Sequence, residues 1–221
     1  MVFRHELKHE INYSDLIVLR QRLNAVAKPD SHTKNGKYII RSLYFDTPQD
    51  TALREKLAGV NRREKFRIRC YNGDTSFIHL EKKSKLNGLC NKISEEITAD
   101  SVQKIILGEI PEADKKKPLL TELSTKMRLD GLKPKTLVDY TREAFVYPAG
   151  NVRVTLDYGI RTGYSCRDFL DPDCVTLPAS GATILEVKWD GFLPDIIRDA
   201  VQLSGRSTGA FSKYAACRVL G

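Results

Sequence analysis

The run Lys65-Phe66-Arg67-Ile68-Arg69-Cys70-Tyr71 alternates polar and apolar side chains, and this constrains the chain more than any other feature. Successive side chains of a β-strand point to opposite faces. Lys65, Arg67, Arg69 and Tyr71 therefore share one face, and Phe66, Ile68 and Cys70 share the other. At roughly 3.3 Å of rise per residue, the three cations stand about 7 Å apart in a row. The device recurs along the chain. Glu81, Lys83 and Lys85 oppose Ile78 and Leu80, and Lys92 and Ser94 oppose Ile93. Arg4, Glu6 and Lys8 alternate with Phe3, His5 and Leu7, and Arg153 and Asp157 with Val152, Val154 and Leu156. Glu186 and Lys188 oppose Leu185, Val187 and Trp189.

An ordinary antiparallel sheet buries one apolar face and wets a face of mixed polarity. Here the polar faces are rows of cations, which repel along and across strands unless a polyanion or interspersed carboxylates compensate them. Closed into a barrel with the charged faces inward, such strands form a basic channel. A sheet with its charged faces in water is the alternative on count alone. Glu6 and Glu186, set within basic rows, favour the inward arrangement, because carboxylates there can hold a divalent cation against phosphates.

Period-two alternation marks strands near 3-11, 37-46, 62-72, 76-84, 88-97, 135-147, 151-157, 159-169 and 183-190. Short polar links at Asn72-Gly73-Asp74 and Asn87-Gly88 suit antiparallel hairpins. Helical spacing appears only in pieces. Ser14 or Asp15 is the expected cap of a helix through Leu16, Leu19 and Leu23, and Asp100 or Ser101 of one through Val102, Ile105 and Ile106. A third piece spans 119–129, and a fourth follows Pro194 through Ile197 and Val201. Lys115-Lys116-Lys117-Pro118 and Leu177-Pro178-Ala179-Ser180-Gly181 read as exposed connections. The expected class is α+β, with a roughly eight-stranded antiparallel β-barrel forming a basic tunnel and short helices packed outside.

With 221 residues, 41% of them hydrophobic, the chain suits one core, and residues 1–221 are expected to form one domain. Lys and Arg number 36 against 28 Asp and Glu, a net charge of +8 that favours polyanionic partners. No run approaches the ~20 apolar residues of a membrane span, and Met1-Val2-Phe3-Arg4-His5-Glu6 has no apolar signal core, so a cytoplasmic protein is expected. Cys70, Cys90, Cys166, Cys174 and Cys217 lack the CxxC spacing of zinc sites and redox pairs, and read as reduced thiols.

The residues on these faces also carry a resemblance. Arg4-His5-Glu6-Leu7-Lys8, Ser42-Leu43-Tyr44-Phe45-Asp46, Lys65 to Tyr71, Leu80-Glu81-Lys82-Lys83, Tyr140-Thr141-Arg142-Glu143-Ala144-Phe145, Val152 to Asp157, Leu185-Glu186-Val187-Lys188 and Phe211-Ser212-Lys213-Tyr214 occur in an order similar to that of the VTC domain. That domain is the catalytic part of a polyphosphate polymerase, within the triphosphate tunnel metalloenzyme (CYTH-like) superfamily. The resemblance covers nearly the whole chain. It implies a tunnel barrel and transfer of the terminal phosphoryl group of ATP, or another nucleoside triphosphate, to phosphate, pyrophosphate or polyphosphate with Mn²⁺ or Mg²⁺. By that resemblance Lys8, Arg67, Arg69, Lys83, Arg142 and Arg153 are the catalytic cations. Lys92, Tyr140, Lys188, Ser212 and Lys213 add phosphate contacts, and Glu186, with Glu6, holds the metal.

Two departures bear on activity. Ala210 stands where the polymerase pattern has a further lysine, and Arg4-x-Glu6-x-Lys8 replaces the two-glutamate signature of the superfamily's triphosphatases. A hydrolase with water as acceptor and a non-catalytic polyphosphate-binding module remain the alternatives. Nucleic acid is not the expected partner: Tyr44, Phe45, Trp189 and Phe211 read as packing rather than stacking platforms. The family's membrane segment and regulatory domain have no counterpart in the sequence, so coupling to transport would need separate, unknown subunits. His5 and His9 read as satisfied structural histidines. Since Arg67 and Arg69 fill no apolar core, Arg67→Ala or Arg69→Ala is expected to abolish turnover at little cost in stability.

Overall fold

The structure is a computed structural model that describes residues 4–33, 35–86, 89–206 and 208–218. Ten strands run in chain order as β1 (His5–Ile11), β2 (Lys28–Pro29), β3 (Lys37–Asp46), β4 (Arg63–Tyr71), β5 (Asp74–Leu86), β6 (Leu89–Ile97), β7 (Lys133–Tyr147), β8 (Val152–Gly163), β9 (Thr176–Ser180) and β10 (Thr183–Trp189). Among the described residues six α-helices are interspersed: α1 (Tyr13–Val26), α2 (Thr51–Leu57), α3 (Ala99–Ile106), α4 (Pro118–Leu129), α5 (Asp195–Val201) and α6 (Lys213–Arg218).

All pairing is antiparallel, in the spatial order β1-β10-β8-β7-β3-β4-β5-β6, with β2 added to β7 and β9 to β8. The expected eight-stranded antiparallel architecture is present as this curled path, a half-barrel whose edge strands β1 and β6 share no ladder among the described residues. A side chain spans the gap instead: Lys83 of β5 donates to Glu6 of β1 at 3.3 Å.

The apolar faces go outward, under the helices. Phe66, Ile68 and Cys70 of β4 and Ile78 and Leu80 of β5 pack against Val102 and Ile105 of α3 and Leu119, Leu120, Leu123 and Met127 of α4. A second cluster joins Leu16, Leu19 and Leu23 of α1 and Ile197 of α5 to Val154, Leu156, Leu185 and Val187. Each such fully buried aliphatic side chain contributes about 2 kcal/mol. The charged faces are left on the concave side.

Local chemistry moves several boundaries. Asn12, not Ser14 or Asp15, caps α1: its side chain accepts from the Asp15 N–H at 2.8 Å, and the Asp15 carboxylate accepts from the Asn12 N–H at 3.0 Å. Thr98, rather than Asp100 or Ser101, caps α3 by accepting from the Ser101 N–H. The two strands expected over 151–157 and 159–169 are one strand, β8, followed by a 3-10 turn at Cys166–Leu170. Gly159, at φ +63°, absorbs a register shift against β7 without ending the pairing. The stretch 177–181 lies mostly in strand β9 instead of forming a free connection. The Asn72-Gly73 turn joins β4 to β5 with both residues at positive φ, as a tight hairpin requires. The Asn87-Gly88 link and Phe3 lie outside the described residues.

Helix α2 was not legible as a periodic segment. It is held from β3, where the buried Asp46 carboxylate accepts from the Thr47, Ala52 and Leu53 N–H groups and from the Tyr214 hydroxyl of α6. One buried carboxylate thus docks two helices over the concave face. All five cysteines are free thiols, and no helix among the described residues is long and apolar enough to cross a membrane.

Candidate functional site: a cationic lumen

The concave face encloses a cavity of about 740 Å³. Every expected site residue lines it: Glu6 and Lys8 from β1, Arg67 and Arg69 from β4, Lys83 from β5 and Lys92 from β6. Tyr140 and Arg142 come from β7, Arg153 from β8, Glu186 and Lys188 from β10, and Ser212 and Lys213 from the start of α6. The pleat explains the convergence of the strand residues, since alternate side chains of a strand point to the same face.

The cations are largely compensated from within, which is how the sheet tolerates them. Arg67 donates through Nε to Glu81 Oε2 at 2.7 Å and through Nη1 to the Tyr44 hydroxyl at 3.0 Å. Glu81, only 2% exposed, also accepts from Lys92 at 3.0 Å and lies 3.8 Å from Arg69. Burial opposes its ionisation, yet Arg67, Arg69 and Lys92 hold its carboxyl below the ordinary range. Arg69 donates to the Ser42 and Tyr140 hydroxyls. Arg142 and Lys213 share Asp157. Arg153 pairs with the buried Asp30 at 2.5 Å and donates to the Tyr38 hydroxyl at 2.9 Å.

These pairs overturn the expectation that Arg67→Ala or Arg69→Ala is structurally silent. Removing one partner of a buried pair leaves an uncompensated charge and costs about 3–5 kcal/mol. Arg67→Ala would take from Glu81 its closest partner.

Glu6 and Glu186 lie on adjacent strands and are bridged by Lys8, whose Nζ is 2.8 Å from Glu6 Oε1 and 3.5 Å from Glu186 Oε1. Lys188 sits 2.9 Å from Glu186 Oε1 and 3.8 Å from Glu6 Oε2. Burial disfavours the charge on Glu186, but Lys188, Lys8 and Arg142 hold its carboxyl well below the ordinary range. Among the described residues no group of three or more His, Cys, Asp or Glu side chains converges as a metal cage. The donor set is two carboxylates. Mg²⁺ is commonly held by one or two carboxylates with phosphate and water oxygens completing its shell, and Mn²⁺ takes the same ligands, so the residues fit an ion shared with a phosphate chain. Such an ion competes with Lys8 and Lys188 for the same oxygens.

Several lining residues were not among the expected ligands. Tyr44, read as packing, does stack on Tyr214 at 5.2 Å between centroids, but its hydroxyl meets Arg67 in the lumen. Burial raises its phenol, and Arg67, Lys65 and Arg69 more than offset this, so it falls to about 8. Lys56 of α2 lines the lumen and donates to the Ala210 carbonyl at 2.6 Å, so an ammonium lies beside the residue that stands where a lysine was expected. Helix contacts of this kind leave no alternation in sequence. Also on β1, His5 stacks on Trp189 at 5.3 Å, whereas His9 Nδ1 is buried without a hydrogen-bond partner among the described residues, so the expected satisfied histidine is not found there.

A family model described as "VTC domain" matches residues 3–220. No curated protein matches the chain. Among solved structures, the PH1012 protein from Pyrococcus horikoshii is similar, with 14% identity, a TM-score of 0.54, and coverage of 95% of this chain and 96% of that one. A candidate adenylate cyclase from Bacillus halodurans has 13% identity and a TM-score of 0.50 over 85% of this chain and 80% of that one. At such identities the likeness is one of fold.

Proposed function

This chain belongs to the VTC domain family, and from that premise and the chemistry of its lumen we propose that it is a metal-dependent polyphosphate polymerase-like phosphotransferase. The observation that carries the reading is the convergence on one cavity of every cation expected to bind phosphate, together with two carboxylates that fit a divalent ion.

Phosphoryl transfer asks a protein for in-line positioning and for neutralisation of oxygens carrying spread charge. Arg67, Arg69 and Arg153 present planar forks to non-bridging oxygens, while Lys8, Lys83, Lys92, Lys188 and Lys213 act as point charges. Arg142, Tyr140 and Ser212 add donors near the α6 end. The terminal phosphorus of ATP leaves its bridging oxygen, which departs on ADP, and bonds to a terminal oxygen of phosphate, pyrophosphate or polyphosphate. That acceptor oxygen is already ionised, so no side chain has to remove a proton. A Mg²⁺ or Mn²⁺ ion on Glu186 and Glu6 would neutralise charge on the phosphates. An anion in the lumen draws Lys92 and Arg67 from Glu81, and Lys213 from Asp157, exchanging internal pairs for phosphate contacts.

Incubation with ATP and Mn²⁺ tests this. Polymerase activity yields ADP and a ladder of long chains on a gel, whereas a hydrolase yields ADP and free phosphate with no chains. A non-catalytic polyphosphate-binding module is the second reading, favoured by Ala210 and by the internal pairing of Arg67, Arg142 and Arg153. Tight polyphosphate binding without nucleotide turnover under either metal would select it.

A further inference from the structure

A second cavity, of about 840 Å³, lies between α2, α4 and the far ends of β4 and β5. Ala52, Arg63, Glu64, Lys65 and Lys85 line both cavities. In the β4–β5 ladder Arg63 stands directly opposite Lys85, and Lys65 directly opposite Lys83. Directly opposed side chains have Cβ atoms about 5 Å apart, and like charges so placed destabilise a sheet. Elsewhere in the lumen such cations are matched by carboxylates. Here, among the described residues, only Lys83 is, through Glu6 at 3.3 Å. Glu64 is engaged instead by Lys82 at 3.1 Å and Lys126 at 2.8 Å. Arg63 donates to the Val60 carbonyl, and the Lys65 ammonium lies over the Tyr44 ring, 6.0 Å from its centroid.

We propose that Arg63, Lys65, Lys83 and Lys85 form an anion subsite at the neck between the two cavities, which binds the phosphates of a linear polyphosphate beyond those the main lumen holds. The proposal rests on the reading of the lumen as a phosphate-chain site. A sheet that sets four cations against one carboxylate is relieved when a polyanion occupies the neck, and a linear chain of repeating charge meets both cation pairs in succession. Burial pushes the Lys65 ammonium down to about 8; Tyr44 opposes this, and Arg67, Lys83 and Lys8 add to it, as like charges so crowded should. The second cavity mixes Arg62 and Lys126 with Glu55 and Asp130, so the neck, and not the cavity beyond it, supplies the affinity.

Binding of tripolyphosphate, ATP and long-chain polyphosphate to the full chain, by calorimetry, tests this in the native protein and in Lys65→Gln/Lys85→Gln. The native chain should bind the long chain at least about tenfold more tightly than tripolyphosphate, the worth of one charge-assisted hydrogen bond. The double variant should lose that preference, keep its tripolyphosphate affinity within about twofold, and melt no lower than the native protein because a repulsion has been removed. Equal affinity of the native chain for both phosphates overturns the subsite. So does a variant that weakens both equally, or one in which only ATP binding falls, which would assign the neck to a nucleoside. If no phosphate compound binds the native chain, the reading of the lumen itself fails.

Discussion

Arg142 and Asp157 face each other in register across β7 and β8, and the guanidinium donates from Nε and Nη2 to the two carboxylate oxygens at 2.6 and 2.7 Å. Lys213 of α6 completes the group at 2.6 Å from Asp157 Oδ2. The pair thus fixes a lumen arginine and fastens the C-terminal helix to the sheet. An anion that attracts Arg142 or Lys213 must compete with a fully buried carboxylate.

Acid stability follows from this pair. Burial resists ionisation of Asp157, but Arg142 and Lys213 lower its carboxyl from 3.8 to about 2. A depressed folded value means stability that is fully present above the ordinary value and is lost as pH falls through the folded one. Asp157 therefore contributes about 2 kcal/mol at neutral pH that disappears between about pH 4 and pH 2. Glu81 and Glu186, also depressed, add in the same direction. Thermal melts across this range should steepen downward, and Asp157→Asn should flatten the profile. An unchanged slope in the variant would show that the pair contributes nothing to folding.

Glu81→Gln tests the internal compensation of Arg67 and Arg69. The substitution keeps the shape and removes the charge, leaving two buried guanidinium groups short of a counter-ion, at a cost of about 3 kcal/mol. Tripolyphosphate should then raise the melting temperature of the variant more than that of the native chain, because the ligand supplies the missing charge. A variant as stable as the native protein in phosphate-free buffer would sink the argument.

The lumen was legible because strand alternation is local: Arg67 and Phe66 declare their faces within a few residues. The internal counter-ions were less so. Asp30 and Arg153 are far apart in the chain, and only the β2–β7 pairing brings the loop after Pro29 to the lumen. Helix α2 was missed because its N-terminal donors are satisfied by Asp46 of β3 and none of its residues is fully buried, so no apolar periodicity marks it. Tyr44 was read as packing because an aromatic ring in a strand does not disclose where its hydroxyl ends.

Glu186→Gln isolates the proposed metal ligand. Activity of the native chain should rise with Mn²⁺ or Mg²⁺ and saturate, whereas the variant should need at least about tenfold more metal, in keeping with the loss of one charged ligand. Direct Mn²⁺ binding, read by electron paramagnetic resonance in the presence of tripolyphosphate, gives the same comparison without turnover. Identical titration curves for the two proteins would remove Glu186 from the metal site.

Tyr44 offers a spectroscopic report of lumen charge. Its phenol lies at about 8, against an ordinary 10.0, because burial is outweighed by Arg67, Lys65 and Arg69. An ultraviolet pH titration of the native chain should thus show one tyrosine ionising well before the others, and Tyr44→Phe should delete that step. A bound phosphate chain neutralises Arg67 and Arg69 and withdraws their support for the phenolate, so saturating tripolyphosphate should move the step back toward the ordinary value. If the early step persists unshifted with ligand bound, the anion is not seated beside Arg67, and the lumen assignment of that arginine is wrong.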